Sequence, residues 1–424
     1  MKRRYQPVRG MRDILPEDSA RLTLIEDTFR DVLQSYSYEE IRLPVLEAKD
    51  LFDRGLGEAT DAVSKEMYSF EDRDGTDLAL RPEGTASCAR AIVNHSMAHE
   101  DKPRLWYAGP MFRHERPQSG RYRQFQQVGA EAFGYSGPAI DYELMSVGTD
   151  VFGRLGILDE ITLLLNNIGS AAERALYRGA LVEYLLPIED DLDSDSRHRL
   201  KANPIRILDS KNSRTQEILE QAPPIEEFVS QESNEKFAAV RRLLDGANIE
   251  YQITPRLVRG FDYYTDTVFE WVTDKLGAQD AICAGGRYDG LIELLGGKPT
   301  PGVGFAAGID RIAILLEQCE GSSKYDKADV YIIAHSDEQQ EYVAEVARQV
   351  RRHTNLRVRE HTESGRMGAK MRWADKSGAK WALIAGDAEA AKREVTIKWM
   401  RVEREQTTVS FDQVVEVLSE NWEK

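Results

Sequence analysis

Cysteine is scarce: Cys88, Cys283 and Cys319 are the three in a chain of 424 residues. They are odd in number and too far apart for a CxxC zinc knuckle, so they read as reduced core thiols and exclude a disulfide scaffold. No run of 18 apolar residues occurs, which leaves no spanning helix. The opening MKRRYQPVRGMRDILPED meets Arg12, Asp13, Glu17 and Asp18 where a secretory signal would need apolar residues. These absences predict a cytoplasmic chain without membrane contact. No GxxxxGK[ST] is present, which removes a P-loop, and Gly302, Gly304 and Gly308 are spaced GxGxxxG, which fails the dinucleotide pattern GxGxxG. No repeat of 20 to 50 residues is visible.

What is there describes a soluble globular chain: 41% hydrophobic, 30% charged, with 56 basic against 72 acidic side chains and a net charge of -16. At about 150 residues per domain, the length allows roughly two or three units. Residues 328–424 hold 16 basic and 17 acidic side chains, so -15 of the -16 belongs to residues 1–327. Within that tail, residues 346–380 carry ten Arg or Lys, among them Arg351, Arg352, Arg372 and Lys376, against Glu360, Glu363 and Asp375. Such a run offers a polyanion a basic face, or is simply a solvated helix surface.

Along the chain, Ser19 is placed to cap a helix in which Leu22, Ile25, Phe29 and Val32 recur at helical spacing, followed by the β-prone IRLPVLE. Residues 104–134 predict a hairpin whose loop, RPQSGRYR, is long and cationic. From about 170 to 250 the segments turn helical and acidic, without an evident catalytic cluster, as an inserted module would be. Strand-like patterns return in YQITPRLVRGFDYYTDTVFEWV and DAICAGGRYDGL, and GVGFAAGIDRIAILLEQC reads as strand, Gly-rich turn and helix. These predict one mixed or antiparallel sheet. After the polar linker EGSSKYDKA, strands and helices alternate to the end as in a compact α/β domain.

Four groups of residues could carry chemistry. On the hairpin, Arg113 with Glu115, and Phe125, Gln127, Gly129 and Glu131 at alternate positions, give a strand face an unusual polar content. This fits a polar cavity on the sheet, and an exposed edge hairpin fits it as well. Arg259-Gly260-Phe261-Asp262-Tyr263-Tyr264 pairs an Arg fork suited to phosphate with phenols suited to a substrate nitrogen, or is a strand end with aromatic packing. AGGRYDGL adds Tyr288, although alone it is a common turn. Arg311 stands in the first turn of a helix behind a Gly-rich strand, within reach of a phosphate. His95 and His99 lack the third ligand that a zinc site needs, so no metal site is expected.

These residues resemble motifs of the class II aminoacyl-tRNA synthetases, and within them the bacterial-type histidyl-tRNA synthetases, over essentially the whole chain. FRHERPQSGRYRQF resembles motif 2, GVGFAAGIDRI motif 3, and the helix and strand ending near Pro44 motif 1. LVRGFDYY, AGGRYDGL and the early RGMRDILP resemble the histidine-specific signatures, with Phe261 standing where Leu is usual. The resemblance implies an α+β catalytic domain over residues 1–325, an antiparallel sheet flanked by helices with a helical insertion at about 170–250. It also implies an α/β anticodon-binding domain over residues 326–424.

It further implies a homodimeric histidine–tRNA ligase that uses ATP and Mg²⁺ to make histidyl-adenylate and passes the histidyl group to the 3′ end of histidine tRNA. By the same resemblance, Arg113 and Arg259 are catalytic; Arg113, Glu115, Arg121, Phe125 and Arg311 bind ATP. Glu83, Thr85, Gln127, Glu131, Tyr264 and Tyr288 bind histidine. Arg116, Gln118 and Arg123, with Arg351, Arg352, Arg372 and Lys376, meet the tRNA. The alternative is a histidine-binding regulatory paralogue of ATP phosphoribosyltransferase that charges no tRNA; such a paralogue would be expected to lack the anticodon domain and these arginines.

Overall fold

The computed structural model describes residues 5–57, 60–98, 101–277, 281–320 and 326–421. The chain forms two compact units, 1–321 and 322–424.

The first unit is built on an eight-stranded sheet. Its strands run in the order Glu39–Glu40, Arg104–Phe112, Gln124–Phe133, Gly302–Gly308, Ala281–Arg287, Thr265–Val272, Thr162–Asn167, Gln252–Ile253. Only the pairings at the two ends are parallel, so the sheet is mixed with an antiparallel centre. Period-2 alternation divides its two faces. Val128, Ala130 and Ala132, with Val303, Phe305 and Ala307, enter a core shared with Leu22, Ile25, Phe29 and Val32 of the Pro16–Ser35 helix. The intervening residues face the other way: Gln127, Gly129 and Glu131 lie opposite Gly308, Ala306 and Gly304. The glycines therefore do not form the turn expected between strand and helix. Gly302–Gly308 is strand throughout and runs directly into the helix Ile309–Glu320, and its small residues leave room above the sheet.

Several local expectations are corrected. The first helix begins at Pro16, which needs no N–H partner at that position, so Ser19 lies inside the first turn and caps nothing. IRLPVLE is mostly not strand: Glu39–Glu40, just before it, joins the large sheet, and only its last two residues enter a strand, Leu46–Ala48, which lies beyond Pro44 and joins Ser69–Glu71 and Asp77–Leu80 in a small sheet. Residues 254–264, which carry LVRGFDYY, form a loop between two strands. Cys88 and Cys283 are buried, but Cys319 is exposed on the solvent side of its helix. The regular elements between Ala171 and Gly246 are all helical.

The second unit is a five-stranded sheet in the order Val358–Glu360, Val330–Ala334, Trp381–Ala385, Glu394–Trp399, Thr407–Ser410, parallel for the first two pairings and antiparallel for the rest. From the first strand the chain crosses to one neighbour and then back past it to the other. Two right-handed crossovers in opposite directions put their helices on opposite faces. Val330, Ile332 and Ala334 accordingly pack with Gln340–His353, and Tyr331 and Ile333 with Met367–Lys376. No helix among the described residues is long and apolar enough to cross a membrane.

Candidate active site

Above the face of the first unit's sheet that carries Gln127, where Ala284, Ala306 and Gly308 are small, lies a cleft of about 1140 Å³, walled by residues from the hairpin, the 254–264 loop, the Ile309–Glu320 helix and the helical segment 171–246. It gathers Glu83, Thr85, Arg113, Glu115, Arg121, Phe125, Gln127, Arg259, Tyr264 and Arg311, residues scattered over more than two hundred positions.

One end of the cleft is cationic. The strand stops at Phe112, because the polar loop with Pro117 cannot continue it, so Arg113 and Glu115 stand on the loop and not on a strand face. Arg113 donates from Nε to the Pro82 carbonyl at 2.8 Å, and its guanidinium lies 5.4 Å from the Phe125 ring centre and 5.6 Å from that of Phe261. Glu115 is shared between Arg121 at 2.8 Å and Arg113 at 3.8 Å. Arg259 donates to Glu270 Oε1 at 3.1 Å and lies 5.6 Å from the Tyr264 ring. Burial works against its charge, but Glu270 and Tyr264 outweigh that, and the guanidinium pKa is raised. Its buried Nε has no hydrogen-bond partner.

The other end is built around two carboxyls. Glu83 accepts from the Thr85 and Ala86 amides at 2.6 and 2.8 Å, which caps the Thr85–Asn94 helix and leaves lone pairs over. Burial pushes its pKa up. Glu131 Oε1 accepts from Thr85 Oγ1 at 2.7 Å and Tyr107 OH at 2.9 Å, and its Oε2 from Tyr288 OH. Glu131 and Tyr288 are thus bonded to each other beneath the cleft instead of lining it. Gln127, buried in the wall, leaves its Oε1 without a partner. Unsatisfied buried acceptors are rare in native proteins and point to a ligand donor.

Burial raises the Glu131 pKa to about 8, against the pull of Tyr288, Thr85 and Tyr107. The unfolded chain loses this proton near the ordinary carboxyl pKa of 4.5, whereas the folded one keeps it to about 8. The folded state binds more protons across that window, so this group's contribution to stability falls as pH rises through it. Glu131→Gln is expected to flatten the decline of Tm between pH 5 and 8; equal slopes in calorimetry would show that Glu131 has released its proton already.

Some of the expected RNA-contacting residues are engaged within the chain or set apart from one another. Arg123, expected to contact RNA, is drawn back onto the chain: its N–H donates to Gly10 O at 2.7 Å and its side chain reaches the Glu115 and Arg9 carbonyls, both at 3.3 Å. Gly10 has φ +86°, and a Cβ there would lie 2.7 Å from the Arg123 side chain. Arg116 and Gln118, by contrast, are exposed on the loop. In the second unit, Arg351 and Arg352 end the helix on one sheet face, and Arg372 and Lys376 lie on the helix of the other, so the basic run makes no single surface. Arg351 is also engaged by Glu360 at 2.6 Å. His99 lies outside the described residues, and among them no three His, Cys, Asp or Glu side chains are grouped to hold a metal ion.

Sequence reasoning missed several supports. Tyr107 is buried under Glu131, and a Cβ on either Gly84 or Gly129 would run into its ring. Arg12, 3.0 Å from both Asp18 and Asp310, fastens the early RGMRDILP segment beside the cleft, and Asp310 also accepts from the Gln126 amide at 2.7 Å. Arg287 pairs with buried Asp141 and with Asp289, clamping the turn that carries Tyr288. Arg12 and Asp310, and Arg287 and Asp141, lie more than a hundred residues apart and leave no local pattern.

A family model described as histidyl-tRNA synthetase matches residues 10–312, and one described as an anticodon binding domain matches residues 329–421. Among solved structures, the histidyl-tRNA synthetase of S. aureus is 34% identical, over 98% of this chain and 99% of that one, with a TM-score of 0.79. That of Nostoc sp. is 21% identical over 99% and 100%, with a TM-score of 0.74. A Bacillus halodurans chain described as an ATP phosphoribosyltransferase regulatory subunit/histidyl-tRNA synthetase is 22% identical over 90% and 98%, with a TM-score of 0.65.

Proposed function

The chain belongs to the histidyl-tRNA synthetase family, and we propose that the cleft of its first unit is where histidine and ATP meet. It is a histidine–tRNA ligase that uses ATP and carries an anticodon-binding unit. The observation that carries the assignment of the cleft is the orphaned Gln127 acceptor, which lines the same cleft as the Arg113 and Arg259 guanidinia.

In this reading the adenine stacks on Phe125 with Glu115 beside it. Arg113 and Arg259 hold the α-phosphate, and Arg121 and Arg311 the outer phosphates. Glu83, Thr85 and Gln127 receive the α-ammonium. Glu131 and Tyr264 take the two imidazole nitrogens, the ring N–H replacing a hydroxyl that Glu131 now accepts from Thr85, Tyr107 or Tyr288. A carboxylate oxygen of histidine attacks the α-phosphorus as the bond to pyrophosphate breaks. A hydroxyl of the terminal tRNA ribose then attacks the acyl carbon, and AMP leaves. The protein contributes position and the fixed positive charge of Arg113, Arg121, Arg259 and Arg311. A pocket that bonds both ring nitrogens leaves buried polar groups unpaired with any other amino acid, which is a strong filter. Mg²⁺ would arrive on the nucleotide phosphates, neutralising their charge, as that ion usually does where protein ligands are few.

Amino-acid-dependent exchange of pyrophosphate into ATP, run across all twenty amino acids without tRNA, tests the reading: exchange is expected with histidine alone. Histidine binding without exchange would instead favour the regulatory subunit. The homodimer is proposed with it, since the small sheet leaves Leu46 and Phe70 40% and 49% exposed; sedimentation should give twice the 48.1 kDa chain mass.

For the anticodon-binding unit we favour the Met367–Lys376 face, where Trp373 is 48% exposed with Lys376 5.4 Å from its ring centre and Arg372 beside it. Replacing Arg372 and Lys376 with alanine should weaken tRNA binding and reduce its salt slope by about one unit or more. Replacing Arg351 and Arg352 should do less, because Glu360 already engages Arg351. Filter binding at several salt concentrations decides between the two faces, and an equal loss from both pairs would reject this choice.

A further inference from the structure

The helical segment 171–246 carries no evident catalytic cluster in sequence, yet it sends Arg199, Arg206 and Lys211 into the cleft wall. Arg206 has the unusual setting. It stands on the turn Pro204–Asp209, which is tied to the 254–264 loop because Asn203 donates to Asp262 Oδ1 at 2.5 Å. A Cβ built on Gly260 would lie 2.8 Å from Arg206 Nη1, so the guanidinium rests on the backbone directly beside Arg259. With a Cβ at 260 the Arg206 guanidinium would have to shift.

The charge of Arg206 is poorly matched by the protein. Among the described residues its ion-pair contact is Asp209 at 3.8 Å, and that carboxylate is half exposed. Its Nε is buried without a hydrogen-bond partner. Arg199 and Arg259 add like charge nearby, while Asp61 and Asp209 oppose it; together with burial, which is the largest cause, the balance lowers its pKa. A desolvated guanidinium with vacant donors costs stability unless something anionic meets it. Its place in the cleft wall leaves that charge open to an anionic ligand.

We propose that Arg206 is a catalytic residue supplied by the helical insertion, donating to a phosphate group that Arg259 also contacts. This rests on the reading of the cleft given above. An Arg fork meets two phosphate oxygens at once, and two such forks side by side suit a phosphorus centre on which negative charge grows. The phosphate is either the reacting one of ATP or the one next to the terminal ribose of the tRNA, and the two steps of the reaction separate them.

The test uses full-length Arg206→Ala and Arg206→Lys beside the parent chain, in three measurements. Single-turnover adenylate formation without tRNA should fall roughly tenfold to a hundredfold in Arg206→Ala if the phosphate is that of ATP. If it is that of the RNA, adenylate formation holds and transfer from preformed histidyl-adenylate to tRNA falls by that factor. In either case the affinity for histidine alone should stay within twofold, and guanidinium ion added to Arg206→Ala should restore part of the lost rate. Thermal melting separates this from a merely structural role: Arg206→Ala should melt at the parent temperature or above it. Both steps unchanged, or a lost rate accompanied by a lowered melting temperature in both variants, would overturn the proposal. A parent chain that forms no adenylate with histidine would fail the reading of the cleft itself and this inference with it; a parent that does, beside an equally active Arg206→Ala, fails the inference alone.

Discussion

Arg259→Ala is expected to slow adenylate formation roughly a hundredfold to a thousandfold, as the loss of a fixed donor at a charged transition state does elsewhere. The loop residue is held for the task. Glu270, on the neighbouring strand, fixes one end of the guanidinium at 3.1 Å, and the Tyr264 ring lies against it. Its Nε is buried and unbonded. Because the group that waits is a planar fork, Arg259→Lys should recover little: one ammonium cannot satisfy Glu270 and a phosphate together. The affinity for histidine should change far less than the rate, since the contact is made most strongly as the phosphorus gains its fifth oxygen. Rapid-quench measurement with saturating ATP reads the step directly, and a rate within threefold of the parent would remove Arg259 from the reacting phosphate.

Gly304→Ala is expected to abolish histidine-dependent exchange. A Cβ at this position would overlap Glu131 Oε2 and lie 2.6 Å from the Ala130 carbonyl oxygen. A flexible side chain could yield, but that carbonyl belongs to the central strand pair, where Gly304 lies opposite Glu131 in register. The added methyl must either part the two strands or turn the Glu131 carboxyl out of its three hydroxyl bonds. Overpacking of this sort costs about 1–3 kcal/mol, so the variant should still fold but melt lower. Gly137→Ala, which meets no atom within 4 Å, is the control and should behave as the parent. Equilibrium dialysis with histidine, beside melting curves, checks both: retained histidine affinity in Gly304→Ala would mean that the carboxyl is not where the amino acid binds.

The same residues show how far sequence can be read. Strand and helix periodicity exposed the hairpin, the helical insertion and the terminal α/β unit, because each is written in contiguous spacing. Gln127 and Glu131 stood out because polar groups broke an apolar alternation, and Tyr264 because it stands in one short cluster with Arg259. Gly302, Gly304 and Gly308 were visible too, yet their meaning was not: a turn and a bare strand face use glycine alike, and only the register against Gln127, Gly129 and Glu131 separates them. Tyr107 and Arg206 carried no local signal, since what marks them is a carboxyl on the paired strand in one case and a loop more than fifty residues away in the other. The basic run misled for a related reason. Nearness in sequence does not survive a crossover that sends successive helices to opposite faces.

The contact between Arg12 and Asp310 has a bearing on synthesis. Its partners are separated by 298 positions, and the strand Gln124–Phe133 likewise waits for Gly302–Gly308 to complete its side of the sheet. At about 5–20 residues per second, a ribosome needs on the order of ten to thirty seconds to travel from the first of these strands to the second. During that interval the nascent hairpin has a naked edge and a polar face with nothing above it. The helical insertion is made within the same interval and can fold on its own local contacts while the edge is open. A pause placed once Gly302–Gly308 has left the exit tunnel would give the cleft time to close before the second unit emerges, whereas one placed while that strand is still inside would prolong the exposure of the edge.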